Sequence, residues 1–120
     1  MNYIEIIADY LFNKYSEAYD PIPDNFDFIN NDYAIEFKMA ENVTDIHYAN
    51  NIYLQVRVVG VVDKKYKIIN KALTLLEELD GDRIPNLDYR IIKENVPYTS
   101  YLDEDKFNVV LMLNIRKYNY

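Results

Sequence analysis

The stretch IYLQVRVVGVV, residues 52–62, decides the fold. Its first half alternates, because the even-numbered apolar residues share one face of an extended chain while Tyr53, Gln55 and Arg57 lie on the other. After Arg57 both faces are apolar, which indicates that this end is covered on both sides or meets another chain. Gly60 is typical of a bulge or of a close approach by another backbone segment. The stretch predicts a long strand.

The stretch FNVVLMLNIRKY, residues 107–118, has the same alternation. One of its faces carries only apolar side chains, at Phe107, Val109, Leu111, Leu113 and Ile115. A strand this long and this strongly patterned is expected at the centre of a sheet.

Two amphipathic helices are predicted, at residues 3–16 and 64–79, from apolar residues spaced three and four apart. Asp63 is a candidate N-cap for the second helix, and Gly81 suits the left-handed position after its end. An apolar stripe on a short helix needs a sheet to pack against. The first stripe comprises Ile4, Ile7, Ala8, Leu11, Phe12 and Tyr15, and the second Tyr66, Ile69, Ala72, Leu73, Leu76 and Leu79.

The predicted strands come in consecutive pairs with short connections, which favours antiparallel hairpins. The sequence therefore predicts one α+β domain over residues 1–120: a mostly antiparallel, mixed sheet of four to five strands with two amphipathic helices packed on it. The further predicted pieces are strands at 33–39 and 87–95, an irregular segment at 19–31 with a short edge strand at 26–29, a short strand or arm at 43–47, and a polar loop at 95–106.

The composition excludes several classes of function. Since the chain has no cysteine, it cannot form disulfides or Cys-type zinc sites, and this favours an intracellular protein. Two glycines cannot build a glycine-rich phosphate loop. A net charge of −7 argues against nucleic-acid binding. No apolar run reaches the length of a membrane span, and the first ten residues do not resemble a signal peptide.

No catalytic residue, cofactor or metal site is predicted, and we do not expect an enzyme. His47 is the single histidine, and neither Ser16 nor Ser100 lies in a nucleophile elbow. The acidic clusters Asp80, Asp82 and Asp88, and Asp103 to Asp105, lack the spacing of an EF-hand loop and are interpreted as solvated turns. Carboxylates that meet only in the fold leave an enzyme open as an alternative.

Tyrosine is unusually frequent, at 13 of 120 residues. Exposed tyrosines are enriched at protein interfaces, although a genome rich in A and T also encodes tyrosine freely. Tyr98, Tyr101, Tyr118 and Tyr120 stand where a buried ring is not expected. On the loop predicted at 95–106, the candidate interface residues are Pro97, Tyr98, Tyr101 and Asp103.

At the level of pattern, the chain resembles the tail terminator and tail-completion proteins of long-tailed bacteriophages, a head–tail joining group often called minor capsid proteins. The resemblance rests on the N-terminal helix, on IYLQVRVVGVVDKKYKIINKALTLLEEL at residues 52–79, and on YRIIKENVPYTSYLDEDKFNVVLMLNIRKY at residues 89–118. The chain departs from the group at residues 19–51, where a strand pair is usual.

The resemblance implies a structural virion protein, assembled in the host cytoplasm, that forms an oligomeric ring, commonly a hexamer, at the head–tail junction. Its partners would be further copies of itself, the phage tail tube and the neck or connector proteins, with no membrane and no specific nucleic acid. The alternative is a stand-alone bacterial ligand-binding or regulatory α+β domain.

Overall fold

A computed structural model describes residues 3–41, 51–85 and 87–117. The two predicted helices are present and the strands number six, so the fold is α+β, with one or two strands more than predicted. In chain order the elements are α1 (Tyr3–Lys14), β1 (Ala18–Tyr19), β2 (Ala34–Glu41), β3 (Asn51–Val61), a 3-10 turn (Val62–Lys64), α2 (Lys65–Leu79), β4 (Arg83–Ile84), β5 (Tyr89–Asp103) and β6 (Lys106–Lys117).

The strands form one mixed sheet in the order β1-β2-β3-β6-β5-β4. β1 runs parallel to β2, and every other neighbouring pair is antiparallel. β6 lies between β3 and β5, which confirms the predicted central position of the last strand.

The core lies between one face of the sheet and the two helices. Phe37 of β2 packs edge-on against Tyr15, which follows α1, with ring centroids 5.4 Å apart. Leu111 and Leu113 of β6 are fully buried, as expected. The strand residues in this core include Ile52, Leu54, Val56, Val58, Val109 and Ile115, and those of the helices are Ile7, Leu11, Ile68, Ala72, Leu75 and Leu79.

The buried stripe of α2 is rotated from the predicted one. Ile68 and Leu75 are fully buried, whereas Leu73 and Tyr66 are exposed. Asp63 is wrong as the N-cap, because it lies inside the 3-10 turn and α2 starts at Lys65 with no side-chain cap. The extra turn changes which residues face the sheet. Gly81 is confirmed as the residue of positive φ after the helix, at 90°.

Two further predictions are wrong. Residues 26–29 are not a strand but part of an irregular segment with turns at residues 24–25 and 28–30, and the short edge strand is Ala18–Tyr19 instead. Residues 95–106 are not a loop, because β5 runs through to Asp103. Residues 43–47 with His47, and the tyrosines Tyr118 and Tyr120, lie outside the described residues.

One end of the helix-free face of the sheet is covered by another part of the chain. There the irregular segment that follows β1 lies over β3 and β6, so that Val59 and Asn108 are buried. On the helix side of β3, the Asp32 carbonyl comes so close to Gly60 that a side chain would collide with it. This is the close backbone approach predicted for Gly60.

Candidate interaction edge

The outer edge of β5 is closed over its first five residues. β4 pairs with Tyr89 and Arg90. The Ile91 amide donates to the Asp82 carbonyl at 2.8 Å, and the Gly81 amide donates back to the Ile91 carbonyl at 2.7 Å. The Lys93 amide donates to Oδ1 of Asp80 at 3.0 Å, so the turn after α2 supplies partners as far as Lys93.

From Glu94 to Asp103 no described residue pairs with this outer edge. The register with β6 shifts between Lys93 and Tyr98, and Pro97 lacks an amide hydrogen. A bulge and a proline both hinder pairing by another strand. They are confined to residues 94–97, so residues 98–103 form a regular and open strand edge.

Three apolar side chains on the open stretch are exposed: Val96 by 76%, Leu102 by 61% and Tyr101 by 46%. Tyr101 pairs with Asn108 and therefore points to the helix-free face, whereas Leu102 pairs with Phe107 on the helix side. Exposed apolar groups beside unpaired backbone groups are the usual means by which a sheet recruits another chain.

The four candidate interface residues are brought onto one strand but differ in exposure. Tyr101 and Asp103 are exposed, while Pro97 is half-buried and Tyr98 packs against the core. Sequence analysis missed Val96 and Leu102. Residues 98–103, with the sequence YTSYLD, do not alternate between apolar and polar side chains, so no periodic signal indicated a strand there.

The β5–β6 turn forms an acidic tip, defined as Asp103, Glu104 and Asp105. Glu104 has a φ of 56°, and Lys106 forms an ion pair with Asp105 at 3.1 Å. The hydrogen bond from Lys106 lowers the pKa of Asp105. The Val62 amide donates to the Asp105 carbonyl at 2.9 Å, so the tip is fixed to the end of β3.

At the opposite edge of the sheet, beside β1, there is a groove of about 450 Å³. The aromatic rings of Tyr19 and Phe26 pack edge-on at 5.9 Å within it. The groove is lined by Glu17, Tyr19, Phe26, Asn30, Asn31, Asp32, Tyr33, Ala34 and Ile35.

Three lysines of the 3-10 turn and α2, named here the lysine row, lie along the same side: Lys64, Lys67 and Lys71. Lys64 and Lys67 both reach Asp32, at 3.2 and 3.4 Å, and the hydrogen bond from Lys64 lowers the pKa of this carboxyl group. Lys71 reaches Glu17 at 3.8 Å. Three cations thus face two anions.

A polar cluster on the helix-free face was not predicted. The Arg57 guanidinium donates to Oε1 of Glu36 at 3.2 Å and to Oδ1 of Asn108 at 3.0 Å. The Ile22 amide donates to the second oxygen of Glu36 at 3.4 Å. The cluster satisfies its own charges and fixes the irregular segment over the sheet, which is a structural task.

Within residues 3–41, 51–85 and 87–117, no group of three metal-binding side chains is close enough to hold an ion. In the same part of the chain no helix is long and apolar enough to cross a membrane. Ser16 and Ser100 are both exposed.

Comparison of the chain with protein-family models, with curated proteins and with solved structures found no match.

Proposed function

We propose that this protein acts by binding other protein chains through the open edge of β5, as a structural component of an oligomeric ring. The observation that carries the proposal is the unpaired edge from Glu94 to Asp103, with Val96, Tyr101 and Leu102 exposed along it. A partner strand would satisfy the open backbone groups and bury these side chains together.

The resemblance to tail terminator and tail-completion proteins supports a more specific form of the proposal. In that form the ring is a hexamer at the head–tail junction of a phage virion, and its other partners are the tail tube and the neck or connector proteins. An acidic surface is compatible with this place, because it repels the phosphates of DNA that passes through the ring.

The proposal is tested by the mass of the protein in solution over a wide concentration range, measured by light scattering. The wild type is expected to associate into a closed oligomer. The variant Val96→Ser with Leu102→Ser is expected to associate at least about tenfold more weakly, because it loses apolar contact area at the interface.

A matched control is Tyr53→Ser on β3, which removes an exposed aromatic ring from a strand that β6 separates from β5 and is expected to leave association unchanged. Circular dichroism should show that both variants are folded. An oligomer that survives the edge substitutions, or a wild type that stays monomeric at every concentration, would contradict the proposal.

A second candidate function is ligand binding or regulation, favoured by the groove beside β1. Its volume of about 450 Å³ lies in the range of small-molecule sites, and its wall combines aromatic and polar groups. A rise in melting temperature with a metabolite, abolished by Phe26→Ala but not by the edge substitutions, would favour this alternative.

A further inference from the structure

We infer that the chain that completes β5 is a second copy of this protein, which adds head to tail by placing its β1 side against the open edge. The inference rests on the proposed function of that edge and names its occupant. The two sides of one molecule, the β1 edge and the open edge of β5, agree in strand direction, position along the strands, shape and charge.

The strand directions agree. β1 is parallel to β2, and β2 is related to β5 through three antiparallel pairings, across β3 and β6. β1 and β5 therefore run in opposite directions. A neighbouring molecule displaced across the strands would present its β1 antiparallel to β5, in the pairing that is slightly more stable per residue.

β1 and the regular part of the open edge also lie at the same position along the strand direction. Successive register partners connect Ala18 with Ile35, Val58, Val109 and Ser100. By the same route Tyr19 lies level with Thr99. A copy displaced across the sheet thus brings β1 against residues 98–103, the regular part of the open edge, and away from the bulge.

The shapes are complementary at that level. Leu102 projects from the open edge near the hairpin tip, and the groove lies beside β1. The Leu102 side chain is 61% exposed, so most of its surface is not covered by its own molecule. Contact between Leu102 and the half-buried ring of Tyr33 in the groove wall would remove apolar surface of both copies from water.

The charges are complementary as well. Among the described residues, Asp105 is the one member of the acidic tip with an ion-pair partner, Lys106, so the tip keeps an excess of negative charge. At the opposite edge of the sheet, beside β1, the three lysines of the lysine row exceed in number the two acidic residues that they contact. Head-to-tail addition brings these opposite excesses to neighbouring places, which favours the correct orientation of encounter.

A symmetric dimer with β5 against β5 is less suitable. It would bring two acidic tips and two bulged segments into one interface, and would leave the groove and the lysine row unused. A head-to-tail contact is heterologous, and repeated addition closes into a ring when the rotation per copy divides a full turn.

Disulfide trapping tests the inference, since the chain has no cysteine of its own. Glu17 precedes Ala18 by one residue and so lies level with Tyr101, and both are exposed. In the predicted contact Glu17→Cys of one copy and Tyr101→Cys of the next are cross-strand neighbours, within the reach of a disulfide. The experiment is mild oxidation followed by non-reducing gel electrophoresis.

The double variant is expected to give a ladder of covalent oligomers, and a mixture of the two single variants is expected to give a heterodimer. Each single variant alone should stay at the mass of one chain. Tyr53→Cys mixed with Tyr101→Cys is the matched control, because Tyr53 is exposed on β3, which β2 separates from β1 and β6 separates from β5, and it should not form a heterodimer.

Two results would overturn the inference and leave the proposed function intact. A covalent dimer of Tyr101→Cys alone would show symmetric pairing of β5. A double variant that associates by light scattering but forms no ladder would place the partner's contact elsewhere. If the wild type does not associate at all, the proposed function fails together with the inference.

Discussion

The two halves of β5 share one strand and one inner neighbour, β6, but their outer edges differ. Residues 89–93 are closed by β4 and by the turn after α2, whereas residues 94–103 have no partner among the described residues. In the closed half, residues of the same molecule accept or donate the hydrogen bonds of the outer edge. The difference shows that, among the described residues, the polar and proline-containing half of β5 is paired along one side alone, and we propose that its other side binds a partner chain.

The largest loss of stability is expected for a core substitution in β6, the strand that pairs with both halves of β5. Leu111 pairs with Tyr98, at the start of the open regular stretch, and is fully buried. Leu111→Ala should lower the free energy of unfolding by about 2–5 kcal/mol, because it leaves a cavity in the core. The measurement is urea denaturation followed by circular dichroism.

The control for Leu111→Ala is Thr99→Ala, an exposed change on the open edge. It should alter the free energy of unfolding by no more than about 0.5 kcal/mol. If Leu111→Asp were tolerated, the assigned strand register would be wrong.

The next largest effect is expected at the turn that closes the first half. Gly81 has a φ of 90°, and a side chain there would meet only the end of Arg90, at 3.9 Å. Gly81→Ala should therefore cost about 1–2 kcal/mol through backbone conformation alone. Gly81→Asn should recover part of the loss, since asparagine tolerates positive φ. Equal stabilities for alanine and asparagine would contradict this explanation.

A smaller effect is expected from Asp80, whose carboxylate accepts the last hydrogen bond of the closed half. Asp80→Ala should cost about 1 kcal/mol, the usual net value of one such bond. The Lys93 amide should then exchange its hydrogen faster, towards the rates of the unpaired amides of the open half. Asp80→Asn keeps an acceptor and should protect the Lys93 amide, and protection that survives in Asp80→Ala would contradict the role given to this carboxylate.

The last effect concerns alkaline pH and the link between α1 and the closed half. Lys14 forms an ion pair with Asp82 at 3.0 Å, and Asp82 also accepts from the Tyr10 hydroxyl at 2.9 Å. Burial, with a contribution from Glu78, raises the pKa of the nearby Tyr15 from 10.0 to about 12.

Because the unfolded chain releases the Tyr15 proton near pH 10 and the folded chain only near about 12, the free energy of unfolding should fall across this window. Tyr15→Phe should remove part of that fall. Tyr10→Phe is the comparison, since burial and the hydrogen bond to Asp82 raise the Tyr10 pKa too. A pH dependence that is unchanged in both variants would contradict the assignment.

The sequence was sufficient for the parts of the fold that rest on simple periodicity. Alternation in residues 52–62 and 107–118 predicted two long strands with their buried faces, and the spacing in residues 3–16 predicted α1. These patterns are reliable because each element buries one face against a single core.

The prediction was wrong where local chemistry and tertiary context disagree. Pro97 and the acidic residues indicated a loop, but an edge strand tolerates them because its outer groups face solvent. Asp63 was predicted to be the N-cap of α2, but it lies in the 3-10 turn, and α2 begins at Lys65. The candidate interface residues were therefore placed on a loop, whereas they lie on a strand, and the groove beside β1 could not be predicted because it is formed by segments distant in sequence.

The central position of β6 has a consequence for folding during synthesis. The other five strands all precede β6 in the chain, and without β6 the inner edges of β3 and β5 lack their common neighbour. Residues 3–105 alone lack the strand that joins β1, β2 and β3 to β5 and β4, so the strands already synthesised have no common sheet and their unpaired edges are open to aggregation. We expect a chain truncated before Lys106 to stay unfolded by circular dichroism, and the native sheet to form only after the last strand has left the exit tunnel.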